Sequence, residues 1–402
     1  MIQVEEARSI ILDQAHPAKT ETISISCCLH RVLGQDIIAR DNLPPFDKSA
    51  MDGYAIRSAD TTSASEEKPL ELMMQGIQKA GDSTEVPLQP GKVFKIMTGA
   101  PIPRGADSVI EFEKVEQVQK SIFLSKHILV GNNIIKQGEE IRSREVALEK
   151  GSLIRPAEVG VLASLGYQKL EVYQNPVVAL ISTGDELVDI TSDIGDGKIR
   201  DSNQYLLTAL LQEQGADVYP IGIVKDQQQS LVKHIQSAFE KADIVITSGG
   251  VSVGDYDFVQ SALEQIGAQI LFQSVAMKPG KPVVFARYQN KLFFGLPGNP
   301  LSVFTTFKEL VKPAIDKIRG LQSVQEATIP VVLEENLKNN TDRKRYIYVR
   351  ITSKEGAFYA HSVGSQSSSH LITLTRANGI VIIPAKCESS RKGDIVHGRY
   401  LS

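Results

Sequence analysis

The sequence predicts an α/β multidomain protein: a central doubly wound, mostly parallel α/β domain set between β-rich N-terminal and C-terminal domains. Three observations carry this. The chain has 402 residues, more than one ordinary hydrophobic core holds. Between about 177 and 320, apolar runs alternate with amphipathic segments, as strand–helix units of a parallel sheet do. On either side the pattern changes to short apolar runs punctuated by Gly and Pro, the signature of β domains.

In chain order, residues 4–15 (VEEARSIILDQA) set Ile10, Ile11 and Ala15 against charges at helical spacing. Extended segments surround Asn42 to Phe46, and residues 58–69, rich in Ser, Thr, Glu and Ala, read as a surface loop. Short strands follow, Val93 to Met97 and Ser108 to Phe112 among them. Residues 155–165 form a short helix with Pro156 in its first turn. The central domain then runs through the strand PVVALIST and a helix ending at Gly215. The strand ADVYPIGIV leads to a helix with Asp226 as its N-cap, and DIVIT to a helix ending before Gly267. The strand AQILFQSVAM comes next, then a long helix over 300–319 with Asn299 capping and Pro300 in first position. Tyr346 to Arg350 and Gly379 to Ile383 are strands of a small terminal barrel or sandwich.

Composition excludes several classes. Hydrophobic residues make up 42% and charged residues 23%, as in soluble globular proteins, and the net charge of −3 offers no general attraction to nucleic acid or an anionic membrane. An anionic ligand must therefore be held by a local cluster of bases. No apolar run reaches the roughly 18 residues of a membrane span, and the first residues lack signal-peptide character. Three cysteines, Cys27, Cys28 and Cys387, suit a reducing, cytoplasmic setting. Cys27, Cys28 and His30 have no second ligand pair in the sequence and read as ordinary residues rather than a metal site.

Candidate chemistry gathers at strand ends. Thr247 to Asp257 (TSGGVSVGDYD) follows DIVI, so its backbone N–H groups suit an oxyanion while Asp255 and Asp257 call for a cation. Asp185 and Glu186 follow another strand, as does Asp226, whose N-cap role is compatible with a second duty. Met277 to Pro282 (MKPGKP) holds Lys278 and Lys281 on a Pro-restricted turn, which suits a small multivalent anion or, equally, forms a solvated hairpin. Gly295 to Ser302 feeds a helix N-terminus, where Ser302 adds a hydroxyl. Gly250 to Gly254 matches G-x-S-x-G, but Ser252 lies beyond the strand-to-helix corner a hydrolase elbow needs.

PPFDKSAMDGYA at 44–55, TGAPIPRGAD at 98–107, STGDEL at 182–187, SGGVSVGDYD at 248–257, MKPGKP at 277–282 and LPGNPLSVF at 296–304 together resemble the molybdopterin molybdenumtransferase family, often called MoeA. This family is related to the E domains of plant and animal molybdenum-insertion proteins. The resemblance implies a molybdopterin-binding fold for the α/β domain, and an elongated homodimer of four-domain subunits. The domains would be 1–55 with 140–175 (domain I), 56–139 (II), 176–325 (III) and 326–402 (IV). It implies a Mg²⁺-dependent transferase that consumes adenylylated molybdopterin and molybdate and yields molybdenum cofactor and AMP. Transient contact with other cofactor-synthesis proteins or molybdoenzymes is implied as well.

Residue by residue, the match puts molybdate on Lys278, Lys281, Ser302, Arg350 and Ser369, with Pro297 and Pro300 beside the substrate. Glu186, Asp226 and Asp257 serve the nucleotide and Mg²⁺. Gly249, Gly250 and Ser252 line the pterin or adenylate phosphate, and Asp52 and Thr98 act from the partner subunit. Two positions depart from the family pattern: Glu140 where Asp is common, and Ser274 where a base is common. The alternatives are a molybdopterin adenylyltransferase, which shares the SGGVSVGDYD loop, and a non-catalytic scaffold on the same fold.

Overall fold

The structure is a computed structural model that describes residues 1–83, 85–251, 258–322, 327–338, 341–385, 387 and 389–401. The chain divides into two compact units. The larger comprises Met1–Gln35, Gly151–Arg155 and Lys169–Ser402, the smaller Asp36–Lys150 and Pro156–Gln168.

The larger unit is built on a six-stranded sheet in the order Asp217–Val224, Val177–Thr183, Ile244–Ser248, Lys291–Leu296, Pro282–Tyr288, Gln269–Ser274. The first four are mutually parallel; Pro282–Tyr288 runs against both its neighbours. Strand parity explains why the sheet is buried on both faces. Val178, Leu180, Ile244, Ile246, Leu292 and Phe294 join one apolar cluster, while Ala179, Ile181, Val245 and Phe293 join another on the opposite face. Burying each larger side chain contributes roughly 1.5–3 kcal/mol. The chain leaves Val177–Thr183 for one edge and returns on its other side as Ile244–Ser248, so the crossovers diverge between Thr183 and Ser248. Ligands of such sheets bind at this divergence, beyond the carboxyl ends of the strands.

The C-terminal strands close into a barrel. Lys344–Lys354 pairs with Ala357–Ser362 on one side and Gly379–Ile383 on the other, and Ile329–Leu333 and Ile395–Tyr400 complete the ring. Tyr346 and Tyr348 face the α/β core while Ile347 and Val349 fill the barrel, so this strand belongs to both cores. The two-residue strand Met277–Lys278 lies parallel to its start, with Lys278 opposite Arg345. That pairing carries the lysine turn from the sheet edge onto the barrel.

The smaller unit centres on a six-stranded sheet in the order Ser108–Glu111, Gly53–Ile56, Lys92–Ile96, Leu70–Gln78, Ser121–Leu124, Glu116–Val118. Tyr54, Ile56, Val93 and Ile110 are among the side chains of its core.

Three local expectations change. Residues 58–61 are not all surface loop: Ser58 and Thr61 are buried, because the Ser58 N–H and hydroxyl both donate to Asp107 (2.7 and 2.8 Å). Asp226 is not an N-cap. The helix Gln228–Lys241 is entered through Gln227 with no side-chain cap, and the Asp226 carboxylate instead accepts the Thr183 hydroxyl at 3.2 Å. Asn299 sits at the N-cap without a side-chain bond, and the long helix is α over Pro300–Thr306, π over Phe307–Val311 and α again over Lys312–Ile318.

Candidate functional site

Two hollows meet at the carboxyl edge of the larger unit's sheet. One, of about 500 Å³, is lined by Lys278, Lys281, Arg343 and Arg345, with Ser302, Gln366, Ser367, Ser368 and Pro297 among the rest of its wall, and no acid among the described residues that line it. Among the described residues, neither lysine nor Arg345 has a carboxylate partner, and the Arg343 guanidinium donates to the Met277 carbonyl at 3.3 Å. Burial, reinforced by the nearby Arg345 and Arg343, pushes the Lys278 ammonium below the usual lysine range; burial alone does the same to Arg345. Like charges held together at a partly dry surface are complementary to a multivalent anion.

The second hollow, of about 440 Å³, is lined by Thr183, Glu186, Asp201, Asn203, Ser248, Gly298, Pro300 and Ser369 among others, and shares Asn299 with the first. The Asn203 amide donates to the Ser248 hydroxyl (2.8 Å) and the Gly298 carbonyl (2.6 Å), tying the strand end Ile244–Ser248 to the LPGNP turn. Behind it Asp226 is pushed above the ordinary aspartate range, first by burial, with the Asp185 and Glu186 carboxylates acting the same way against the Thr183 hydrogen bond. Among the described residues no group of three or more His, Cys, Asp or Glu forms a ready metal cage. Asp226 and Glu186 nevertheless fit Mg²⁺. Crowded carboxylates gain from a divalent cation, and Mg²⁺ is commonly held by one or two carboxylates together with substrate phosphates.

The glycines have a steric duty here. At Gly249, with φ of +95°, an added Cβ would lie 2.2 Å from the Thr183 carbonyl oxygen; at Gly250 it would lie 2.9 Å from Thr183 Cγ2 and Val259 Cγ2. They let the two strand ends close on each other where the crossovers diverge.

Of the residues singled out in the sequence, Lys278, Lys281, Ser302 and Pro297 converge on the cationic hollow, and Glu186, Pro300 and Ser369 on its neighbour. Arg350 lines neither. It is exposed, opposite His361 on the barrel, five residues along the strand from Arg345. The arginines that line the cationic hollow are Arg343 and Arg345, and its serines besides Ser302 are Ser367 and Ser368. Asp257 and Ser252 lie outside the described residues. In the smaller unit Asp52 and Thr98 are brought together: the Thr98 N–H and hydroxyl donate to one Asp52 oxygen (2.7 and 2.8 Å), holding that carboxyl below its usual range. Sequence reading missed Arg343, Arg345, Asp201, Asn203 and Gln366. The basic run Arg343-Lys344-Arg345 before an apolar strand was the one available signal for the arginines.

A basic hollow beside an acid-backed one, at the divergence point of an α/β sheet braced by a barrel, suits an oxyanion placed next to a phosphate-bearing ligand. Comparison with known proteins narrows the class. Residues 2–166 match the MoeA N-terminal region (domain I and II), 179–317 a probable molybdopterin-binding domain, and 330–397 the MoeA C-terminal region (domain IV). The molybdopterin molybdenumtransferase of Staphylococcus aureus (strain COL) is 35% identical over 98% of this chain and 94% of its own length; that of Staphylococcus epidermidis (strain ATCC 12228) is 34% identical over the same shares. The crystal structure of the molybdopterin biosynthesis MoeA protein from Pyrococcus horikoshii OT3 superposes with a TM-score of 0.85 at 30% identity, covering 100% of both chains. The chain belongs to the molybdopterin molybdenumtransferase family.

Proposed function

We propose that this protein inserts molybdate into adenylylated molybdopterin, releasing AMP and leaving molybdenum cofactor. The observation that carries the reading is the hollow formed by Lys278, Lys281, Arg343 and Arg345, with no acid among the described residues of its wall, which adjoins the acid-backed hollow at Asn299. A doubly negative tetrahedral oxyanion must approach a negative adenylate, and fixed cations offset that repulsion without reorganising.

Lys278, Lys281 and Arg345 bind the molybdate oxygens, with Arg343 adding charge and Ser302, Ser367 and Ser368 adding hydroxyls. Pro297 forms part of the same wall. Glu186, Ser369 and Pro300 flank the pterin nucleotide, and Gly249 and Gly250 bring the strand ends close enough to bound it. Asp226 and Glu186, together with Asp257, would hold Mg²⁺, which supplies charge neutralisation at the adenylate phosphates when bound. The four-domain division, the homodimer, a role for Asp52 and Thr98 in turnover and a cytoplasmic location belong to the same proposal. The test is purified protein with adenylylated molybdopterin and Mg²⁺. AMP release that depends on molybdate supports the reading; release indifferent to molybdate, or a requirement for ATP, would refute it.

A further inference from the structure

The serine-rich loop between Ser362 and Ile372 borders both hollows. Ser367 and Ser368 line the cationic one, Ser369 and Leu371 the other. Several hydrogen bonds hold it, among them that of the Thr373 hydroxyl to the Ser365 carbonyl at 2.7 Å, and one side chain ties it to the barrel strand. The ladder between Lys344–Lys354 and Ala357–Ser362 ends at Val349 opposite Ser362. Just beyond, the Val363 N–H still donates to the Tyr348 carbonyl at 3.2 Å, and the Gln366 amide joins it as a further partner. Its Oε1 accepts the Tyr348 N–H at 2.9 Å, and its Nε2 donates to the Tyr348 carbonyl at 3.0 Å and the Val363 carbonyl at 3.2 Å. A primary amide has two N–H donors, and both are used, so Gln366 has none left for a ligand even though it forms part of the wall. Tyr348 is a buried anchor, and its hydroxyl hydrogen-bonds Thr305 at 2.6 Å. On the loop's far side the Ser368 carbonyl accepts the Leu301 N–H at 3.0 Å, fixing the loop to the helix that carries Ser302.

We infer that Gln366 is a positioning residue for the oxyanion: it registers Ser367 and Ser368 against Lys278 and Arg345 without touching the anion itself. This rests on the reading of the cationic hollow as the molybdate site. The test is equilibrium binding of sodium molybdate by calorimetry to the full chain, followed by turnover, for wild type, Gln366→Met, Ser368→Ala and the double variant. Met conserves volume while removing all three hydrogen bonds.

The expected result is a roughly tenfold weaker molybdate affinity for Gln366→Met, about what one to two lost hydrogen bonds of ordering are worth. The apparent KM for molybdate should rise similarly, with kcat within twofold. Because Gln366 acts through the loop, Gln366→Met combined with Ser368→Ala should weaken binding little more than the larger single change, not by the product of the two. Equal binding by wild type and Gln366→Met would overturn the inference and leave the functional reading standing. Additive losses, or kcat falling in step with thermal stability, would also overturn it, since either marks general packing. A wild-type protein that binds no molybdate would instead defeat the functional reading, and this inference with it.

Discussion

Replacing Arg345 by Met removes one of the four cations that line the basic hollow among the described residues, while keeping most of the side chain's apolar stem. A hydrogen bond to a charged group contributes about 1.5–3 kcal/mol, which corresponds to roughly 10–150-fold in affinity. The expectation is therefore about 10–150-fold weaker molybdate binding by calorimetry. Arg350→Met is the matched control. Five residues of extended strand put Arg350 roughly 17 Å away, beyond the ~8–10 Å over which physiological salt leaves surface charges coupled; its affinity should stay within about twofold. If Arg350→Met proved the more damaging, the assignment of the oxyanion to the wall formed by Arg345 would be wrong.

Three further outcomes follow from the same geometry. Oxyanion binding needs Lys278 protonated, and its pKa is depressed, so molybdate affinity should be full below that depressed value and fall as pH rises through it; in Arg345→Met the fall should move to higher pH, as titration calorimetry across the alkaline range would show. Asp226 holds its proton more tightly folded than unfolded, so it costs stability as pH rises from the ordinary aspartate value, about 3.9, through the raised one. Asp226→Asn should then unfold at a higher temperature than wild type at neutral pH, with no advantage at acidic pH, and should lose any stabilisation by Mg²⁺. Gly249→Ala, which drives a Cβ to 2.2 Å from the Thr183 carbonyl at a φ of +95°, should cost about 3 kcal/mol or more in urea unfolding; a loss under about 1 kcal/mol would show that the strand ends are free to part.

Much of this arrangement is legible in the chain because it is local. The strands Val177–Thr183 and Ile244–Ser248 are continuous apolar runs that stop at Gly-containing turns, and their parallel pairing places Asp185, Glu186 and Gly249 at one edge. Lys278 and Lys281 are readable because prolines constrain the turn that carries them. Arg345 is not readable in the same way. Its place depends on Met277–Lys278 pairing with Lys344–Arg345 from far along the chain. The alternation that would normally reveal a strand's faces is also missing, since Tyr346, Ile347, Tyr348 and Val349 are all buried, between two cores. Asp226 misleads for a related reason. An Asp just before a helix satisfies a local capping rule, but the Thr183 hydroxyl, brought in by the neighbouring strand, claims the carboxylate instead. Gln366 carries no sequence signal, because its role exists only where a strand ladder runs out.

The most direct measurement is single-turnover release of AMP from adenylylated molybdopterin by the purified protein with Mg²⁺, with and without molybdate. The arrangement of the two hollows predicts release that depends on molybdate and is suppressed in Arg345→Met at limiting molybdate but restored as molybdate is raised. Release at the same rate without molybdate, or a defect in Arg345→Met that no molybdate concentration repairs, would contradict it.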